Sequence, residues 1–280
     1  MKQEIHNREI VRKLQNAHSD HIESVYRRLL DLQGNPNGVE ILNVGDTRVF
    51  LSNENRLENR AIFTGNETLE ELREATSLFE KKGVDGYFEL NPANFYRTDP
   101  FSWKSEMLPA LLELGYRPEG FRCVWYLDHL GEQIMTQRQS GRIKQYSHDE
   151  ADEFIQEKLE VEPVKDEDLE REKKAVKHGF TKNWMNYIGF EDRNPVSISK
   201  LFIKNNIGFL AWGYTLAEHR RKGHHGLHVC TRTRDAIELG CQTVFSVTDF
   251  NIPSSLSLQK FGFRLAYNYI LLERSPTSCC

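Results

Sequence analysis

Between Thr215 and Gly226 the sequence TLAEHRRKGHHG sets three cations, Arg220, Arg221 and Lys222, directly ahead of Gly223, His224, His225 and Gly226. The apolar periodicity that follows predicts a helix from Gly223 to Leu239. The first backbone N–H groups of a helix have no intrahelical acceptor and lie at the positive end of its dipole. Glycine allows close backbone approach and the cations add charge, so the segment has the makings of an anion site suited to a pyrophosphate. The same residues also read as a solvated basic turn. His224 and His228 are four apart on one helical face, a spacing that suits a metal, but no acidic or third ligand accompanies them in the sequence and no metal is expected. The five cysteines, at 123, 230, 241, 279 and 280, show neither CxxC spacing nor a Cys/His/Asp order, and read as reduced thiols.

The elements that must position this segment follow a regular grammar. An amphipathic helix or helix pair occupies the first 33 residues and ends at GNPNG. Strands are expected at 39–44 and 47–51, divided by Gly45-Asp46, and at 60–64. Thr68, with Glu71 three residues on, caps a helix over 69–82 that stops at Gly83. A strand at 84–90, a helix near 105–114 and a strand at 121–127 complete the first half. A polar stretch from Gly131 to Arg142 reads as a linker. The second half opens at Ile143, with helices at 149–159 and 165–178 and a meander of three strands at 184–190, 196–203 and 207–215. The basic segment and its helix come next, then a strand at 243–248, a helix at 254–260 and a strand at 263–272. Leu111 to Arg117 (LLELGYR) and Leu258 to Arg264 (LQKFGFR) end helices in the same way, and Asn91 and Asn251 precede them, which implies a tandem duplication of one α/β unit.

In the second half the succession of strand, Arg-Arg-Lys-Gly turn, helix, strand, Asn251, short helix and Gly262-Phe263 resembles the GNAT superfamily of N-acetyltransferases over residues 142–274. The family's turn pattern is Gln/Arg-x-x-Gly-x-Gly/Ala. Arg220 and Gly223 match it, whereas His225 replaces the last small residue and Gly226 follows one position later. The resemblance implies an α/β fold with a mostly antiparallel sheet flanked by helices, and acetyl-CoA as cosubstrate. It places the cofactor along Tyr214, Thr215 and Leu216, with its pyrophosphate on Arg220, Arg221, Lys222, Gly223, His224, His225 and Gly226, and with Asn251 and Ser254 close by. Residues 1–135 resemble the rear part of the same fold, as in tandem bacterial GNAT-related proteins. There, however, Glu67, Glu70 and Glu71 gather at the helix start without a nearby lysine or arginine cluster, which marks a degenerate copy that binds no cofactor. Residues 275–280 are expected to form a flexible tail.

Acetyl transfer to an amine needs a neutral amine, a polarised carbonyl and a proton for the leaving thiolate. The resemblance puts the carbonyl against a backbone N–H near Thr215 or Leu216. The tyrosine that commonly serves as acid in the family is replaced by Leu258, so Tyr269, Tyr267 and Tyr214 are the remaining hydroxyls, each also readable as a packing aromatic. Asp249 is the nearest candidate base, with Glu191 behind it.

Composition narrows the partners. Lys+Arg 37 against Asp+Glu 41 gives a net charge of −4 in 280 residues, against the strongly basic balance of nucleic-acid binders. The longest membrane-like stretch, 207–214, is eight residues, and the first ten residues lack the apolar core of a signal peptide. The expectation is a cytoplasmic acyltransferase acting on a small-molecule or peptide amine, without nucleic-acid or membrane partners, with a homodimer left open. A catalytically inactive acyl-CoA-binding sensor is the alternative.

Overall fold

The computed structural model of the protein describes residues 2–53, 59–63, 67–91, 106–128 and 142–274. The linker expected between Gly131 and Arg142, the tail 275–280 and most of the loop after Asn91 lie outside them. The chain divides into two compact units, residues 1–123 with 266–280, and residues 124–265. Among the described residues no helix is long and apolar enough to cross a membrane.

The first unit begins with one helix, α1 (Lys2–Leu30), where a helix or helix pair was expected. The hairpin β1 (Glu40–Val44) and β2 (Thr47–Leu51) follows, then β3 (Arg60–Ile62), α2 (Leu69–Lys82), β4 (Tyr87–Leu90), α3 (Met107–Glu113) and the first part of β5 (Tyr116–Leu127). The last strand of the chain, β12 (Arg264–Arg274), joins this unit antiparallel to β4, with Ile270 opposite Leu90 and Leu272 opposite Phe88. The domain ranges read from the sequence, 1–135 and 142–274, place that strand in the second half. Its Leu272 is instead fully buried in the first unit's core, among Leu72, Phe79 and Phe88. Strand order in this unit is β1-β2-β3-β4-β12, and only β3 and β4 are parallel.

Alternation along the strands sorts side chains between two faces. Val49, Leu51, Phe88 and Leu90 turn to α2, whereas Phe50 meets Tyr26 of α1 at 5.2 Å between ring centroids. Glu89, between Phe88 and Leu90, therefore faces α1 and is 4% exposed. Its carboxylate accepts from Arg60 Nη1 at 2.6 Å and lies 3.1 Å from His18 Nε2. Burial by itself raises this carboxyl, but His18 and Arg60 outweigh burial and bring it from 4.5 down to about 2.

The second unit runs through the end of β5, β6 (Arg142–Tyr146), α4 (Ala151–Val161), α5 (Leu169–His178), β7 (Trp184–Glu191), β8 (Asn194–Lys204), β9 (Ile207–Phe209), β10 (Gly213–Thr215), α6 (His224–Glu238), β11 (Thr243–Asp249) and α7 (Pro253–Lys260). The order is β11-β9-β8-β7-β6, with β10 paired to β8. On β8, Ile198 enters the cluster of Phe154 and Ile155 under α4, and Ser197 and Ser199 face His228 of α6, so the two helices cover opposite faces. The single strand expected over 207–215 is broken. Lys200 N donates to both Ala211 O (3.1 Å) and Trp212 O (3.3 Å), two residues against one, and Trp212 takes φ +40°.

Arg232 of α6 fills that bulge. It is 3% exposed and donates from Nη1 to Lys200 O (2.8 Å), Ala211 O (2.9 Å) and Trp212 O (3.3 Å), and from Nε to His228 O (3.1 Å). Burial brings its guanidinium down to about 10, and no carboxylate pairs with it among the described residues.

A carboxyl with a depressed folded-state value stabilises above its unfolded value and loses that contribution as pH falls through the folded one. Glu89→Gln should therefore cost about 3 kcal/mol at pH 7 by removing the charge between Arg60 and His18. Its deficit should shrink from about pH 4.5 to about pH 2, and urea-unfolding midpoints across that range provide the check. Arg232→Met keeps the aliphatic packing but leaves the bulge carbonyls without a donor, and should lower stability by about 3 kcal/mol in the same assay. Arg232→Lys, which cannot span three carbonyls, should recover less than half of that.

Candidate cofactor and catalytic site

The last ties between the parallel strands β9 and β11 are at Leu210, whose N–H donates to Phe245 O at 2.8 Å and whose carbonyl accepts from Ser246 Oγ at 3.2 Å. Past the bulge, β10 pairs with β8 alone among the described strands, with Tyr214 opposite Ile198. A crevice thus opens between β10 and β11. Leu216 N–H donates to Val196 O at 3.0 Å, so it is spent on β8. Successive N–H groups of a strand point to opposite edges, and of the two backbone donors expected from the sequence only Thr215 is directed to the open side.

A 3-10 turn, Ala217–His219, leads from β10 to α6. Arg221 (φ +64°) and Gly223 (φ +93°) take left-handed backbone, and Gly223 is the N-cap, which its missing side chain makes inexpensive. No side chain caps α6, leaving the N–H groups of its first turn directed outward. Arg220 Nε donates to Thr215 O at 3.2 Å and its guanidinium lies 5.9 Å from the Tyr214 ring centre. Arg221 is exposed. Lys222 Nζ is 3.0 Å from both oxygens of Glu191, and His219 Nδ1 is hydrogen-bonded to the same carboxylate. Lys222 and then His219 hold the Glu191 carboxyl below its ordinary value.

The histidines of α6 divide into two kinds. His228 is 3% exposed, with Nδ1 2.6 Å from Ser199 Oγ and Nε2 2.9 Å from Ser197 Oγ, and burial pushes it well down, so the ring is neutral. A Cβ on Gly189 would stand 2.9 Å from His228 Nε2, which explains glycine in the middle of β7. Since both its nitrogens are engaged, His228 does not join His224 as the spacing suggested. His224 instead stands beside His219, with ring centroids 6.3 Å apart. Burial lowers His224, and it lowers His225 to about 4.

Asp249 is exposed at the end of β11. Asn251 takes φ +56°, and Ser254 follows in the first turn of α7 behind Pro253. Leu258, at the position where the acid was sought, is 1% exposed and belongs to the core. Tyr214 packs on the Phe154 and Ile198 cluster. Tyr267 and Tyr269 belong to the first unit, where they line a small, partly open cleft with Gln15, His18, Phe63 and Glu89. Tyr269 lies 5.8 Å from His18 between ring centroids, and burial drives the Tyr267 hydroxyl far up. Thus Asp249 lies in the second unit and Tyr269 in the first. Sequence reading missed His219 and Arg232. The signal for Arg232 was a charge in the apolar stripe of Val229 and Ala236, and that for His219 was its place one residue before the basic run.

The corresponding helix start in the first unit is closed. Thr68 Oγ1 accepts from Glu71 N at 3.2 Å, and the Glu71 carboxylate accepts from Thr68 N at 2.6 Å. The carboxylate thus occupies the place where an anion would otherwise bind.

No protein-family model and no curated protein sequence matches the chain. Solved structures do. A GCN5-related N-acetyltransferase from Kribbella flavida is 14% identical with a TM-score of 0.62, over 95% of this chain and 96% of that one. A tandem GNAT protein from the clavulanic acid biosynthesis pathway is 10% identical with a TM-score of 0.60, over 83% and 79%. A functionally unknown conserved protein from Staphylococcus epidermidis is 12% identical with a TM-score of 0.57, over 86% and 95%. The chain has the fold of the GCN5-related N-acetyltransferases, tandem proteins included.

Proposed function

We propose that the protein is an acetyl-CoA-dependent N-acetyltransferase that binds one cosubstrate per chain, in its second unit, and acetylates a primary amine. The observation that carries this reading is the start of α6. It is uncapped, begins at a left-handed glycine, follows Arg220, Arg221 and Lys222, and stands at the open end of the crevice between β10 and β11. The first unit, whose α2 is capped by its own Thr68 and Glu71, is structural.

In the reaction the amine attacks the thioester carbonyl. Thr215 N–H donates to the carbonyl oxygen as negative charge develops there. Asp249 takes the proton from the amine. Glu191 is the weaker base because Lys222 and His219 already stabilise its ionised form. Leu258 has no proton to give, so the thiolate is protonated by solvent and no single tyrosine is essential. Asn251, Ser254 and Tyr214 flank the bound cosubstrate. The buried Leu258 also favours a second reading, an acyl-CoA-binding protein without turnover. Thiol release from acetyl-CoA with a panel of amino acids, polyamines, aminoglycosides and peptides separates the two.

Calorimetry on the full chain should give one CoA per chain. Arg220→Glu with Arg221→Glu, both exposed, should weaken binding about 100-fold, or roughly 2.7 kcal/mol, without moving the unfolding midpoint. Unchanged affinity, or two equivalent sites, refutes this assignment. Asp249→Asn should lower kcat about 100-fold and remove the acidic limb of the pH–rate profile, whereas Tyr269→Phe should stay within about two-fold of wild type.

A further inference from the structure

Three separate elements bring ligating side chains to one point beside the start of α6. Glu191 ends β7, His219 closes the 3-10 turn, and His224 is the first residue of α6. A ligand atom from each lies within 4.8 Å of the other two. The Glu191 carboxylate already holds a cation there, with Lys222 Nζ 3.0 Å from both its oxygens. The side chains of His219 and Glu191 are 24% and 38% exposed, so the cluster is open to solvent on one side.

We propose that Glu191, His219 and His224 form a binding site for one divalent transition ion of the zinc class, which takes the place of the Lys222 ammonium on Glu191. Two imidazole nitrogens and one carboxylate oxygen are a donor set for zinc with an open fourth position. Magnesium and calcium prefer all-oxygen sets, so they are disfavoured. Bonds of about 2.0–2.2 Å put the ligand atoms of a tetrahedral ion roughly 3.4 Å apart. The ligand atoms, at most 4.8 Å apart at present, need shifts on the order of 1 Å to reach that spacing. The site does not depend on the acetyltransferase reading, and its test uses no CoA.

The experiment titrates metal-free full-length protein with Zn²⁺ by calorimetry, and with Co²⁺ by absorbance. One Zn²⁺ per chain is expected, Mg²⁺ should give no heat, and Co²⁺ should show visible bands without a thiolate charge-transfer band. Glu191→Gln and His219→Ala should each weaken Zn²⁺ by about 100-fold. Lys222→Met should tighten it several-fold by removing the competing cation. Pulsed EPR of the Cu²⁺-loaded wild type should count two coordinated imidazoles and needs no variant to fold. Absence of binding, a thiolate band, fewer than two imidazoles, or unchanged affinity in folded Glu191→Gln and His219→Ala variants each overturns the site.

Discussion

A guanidinium buried without a carboxylate is costly unless its donors are satisfied, and in this protein the acceptors are backbone carbonyls that a regular sheet would have used otherwise. Arg232 reaches from α6 to the carbonyls of Lys200, Ala211 and Trp212, where one strand gains a residue on its neighbour. The bulge turns β10 away from β11, the divergence makes the crevice, and the same side chain fixes how α6 lies against the sheet. With α6 fixed, its first turn points at the mouth of that crevice. The charge on Arg232 is therefore structural, whereas Arg220 and Arg221, about three helical turns earlier in the sequence, lie on the surface and are available to a ligand.

The two units apply opposite chemistry to the same kind of helix start. In the second, a left-handed glycine leaves the N–H groups of α6 unanswered and lysine and arginine precede them. In the first, Thr68 and Glu71 answer the N–H groups of α2 with a hydroxyl and a carboxylate. One arrangement invites an anion and the other already contains one. The polar capacity of the first unit is spent inward, on the Glu89, Arg60 and His18 network beneath α1.

Much of this was legible in the residues. The capping box at Thr68, the helix to Lys82, the β1–β2 hairpin and the start of α6 follow from local propensity and turn chemistry, which act within a few residues. The break in the strand over 207–215 was not, because Leu210 to Trp212 have ordinary strand character and the bulge is imposed by a side chain more than twenty positions later. The partner of β12 was hidden for a related reason. An alternating strand declares that it has two faces, not which edge it will meet. His219 and Glu191 are 28 positions apart, so their meeting depends on the turn of the chain between β10 and α6. Tyr269 reads with the second half for the same reason, but its strand belongs to the first unit.

The membership of β12 bears on how the protein is made. Residues 124–265 form one contiguous unit, but the unit that begins the chain needs residues from its far end. A ribosome adding about 5–20 residues per second takes on the order of ten seconds to cross the roughly 140 residues in between. Throughout that interval the nascent first unit carries β4 with one edge unpaired and a core that lacks Leu272. The second unit can close as soon as it emerges. Maturation thus runs in reverse of synthesis, and the half translated first spends the longest time with a strand edge that chaperones or neighbouring nascent chains can reach.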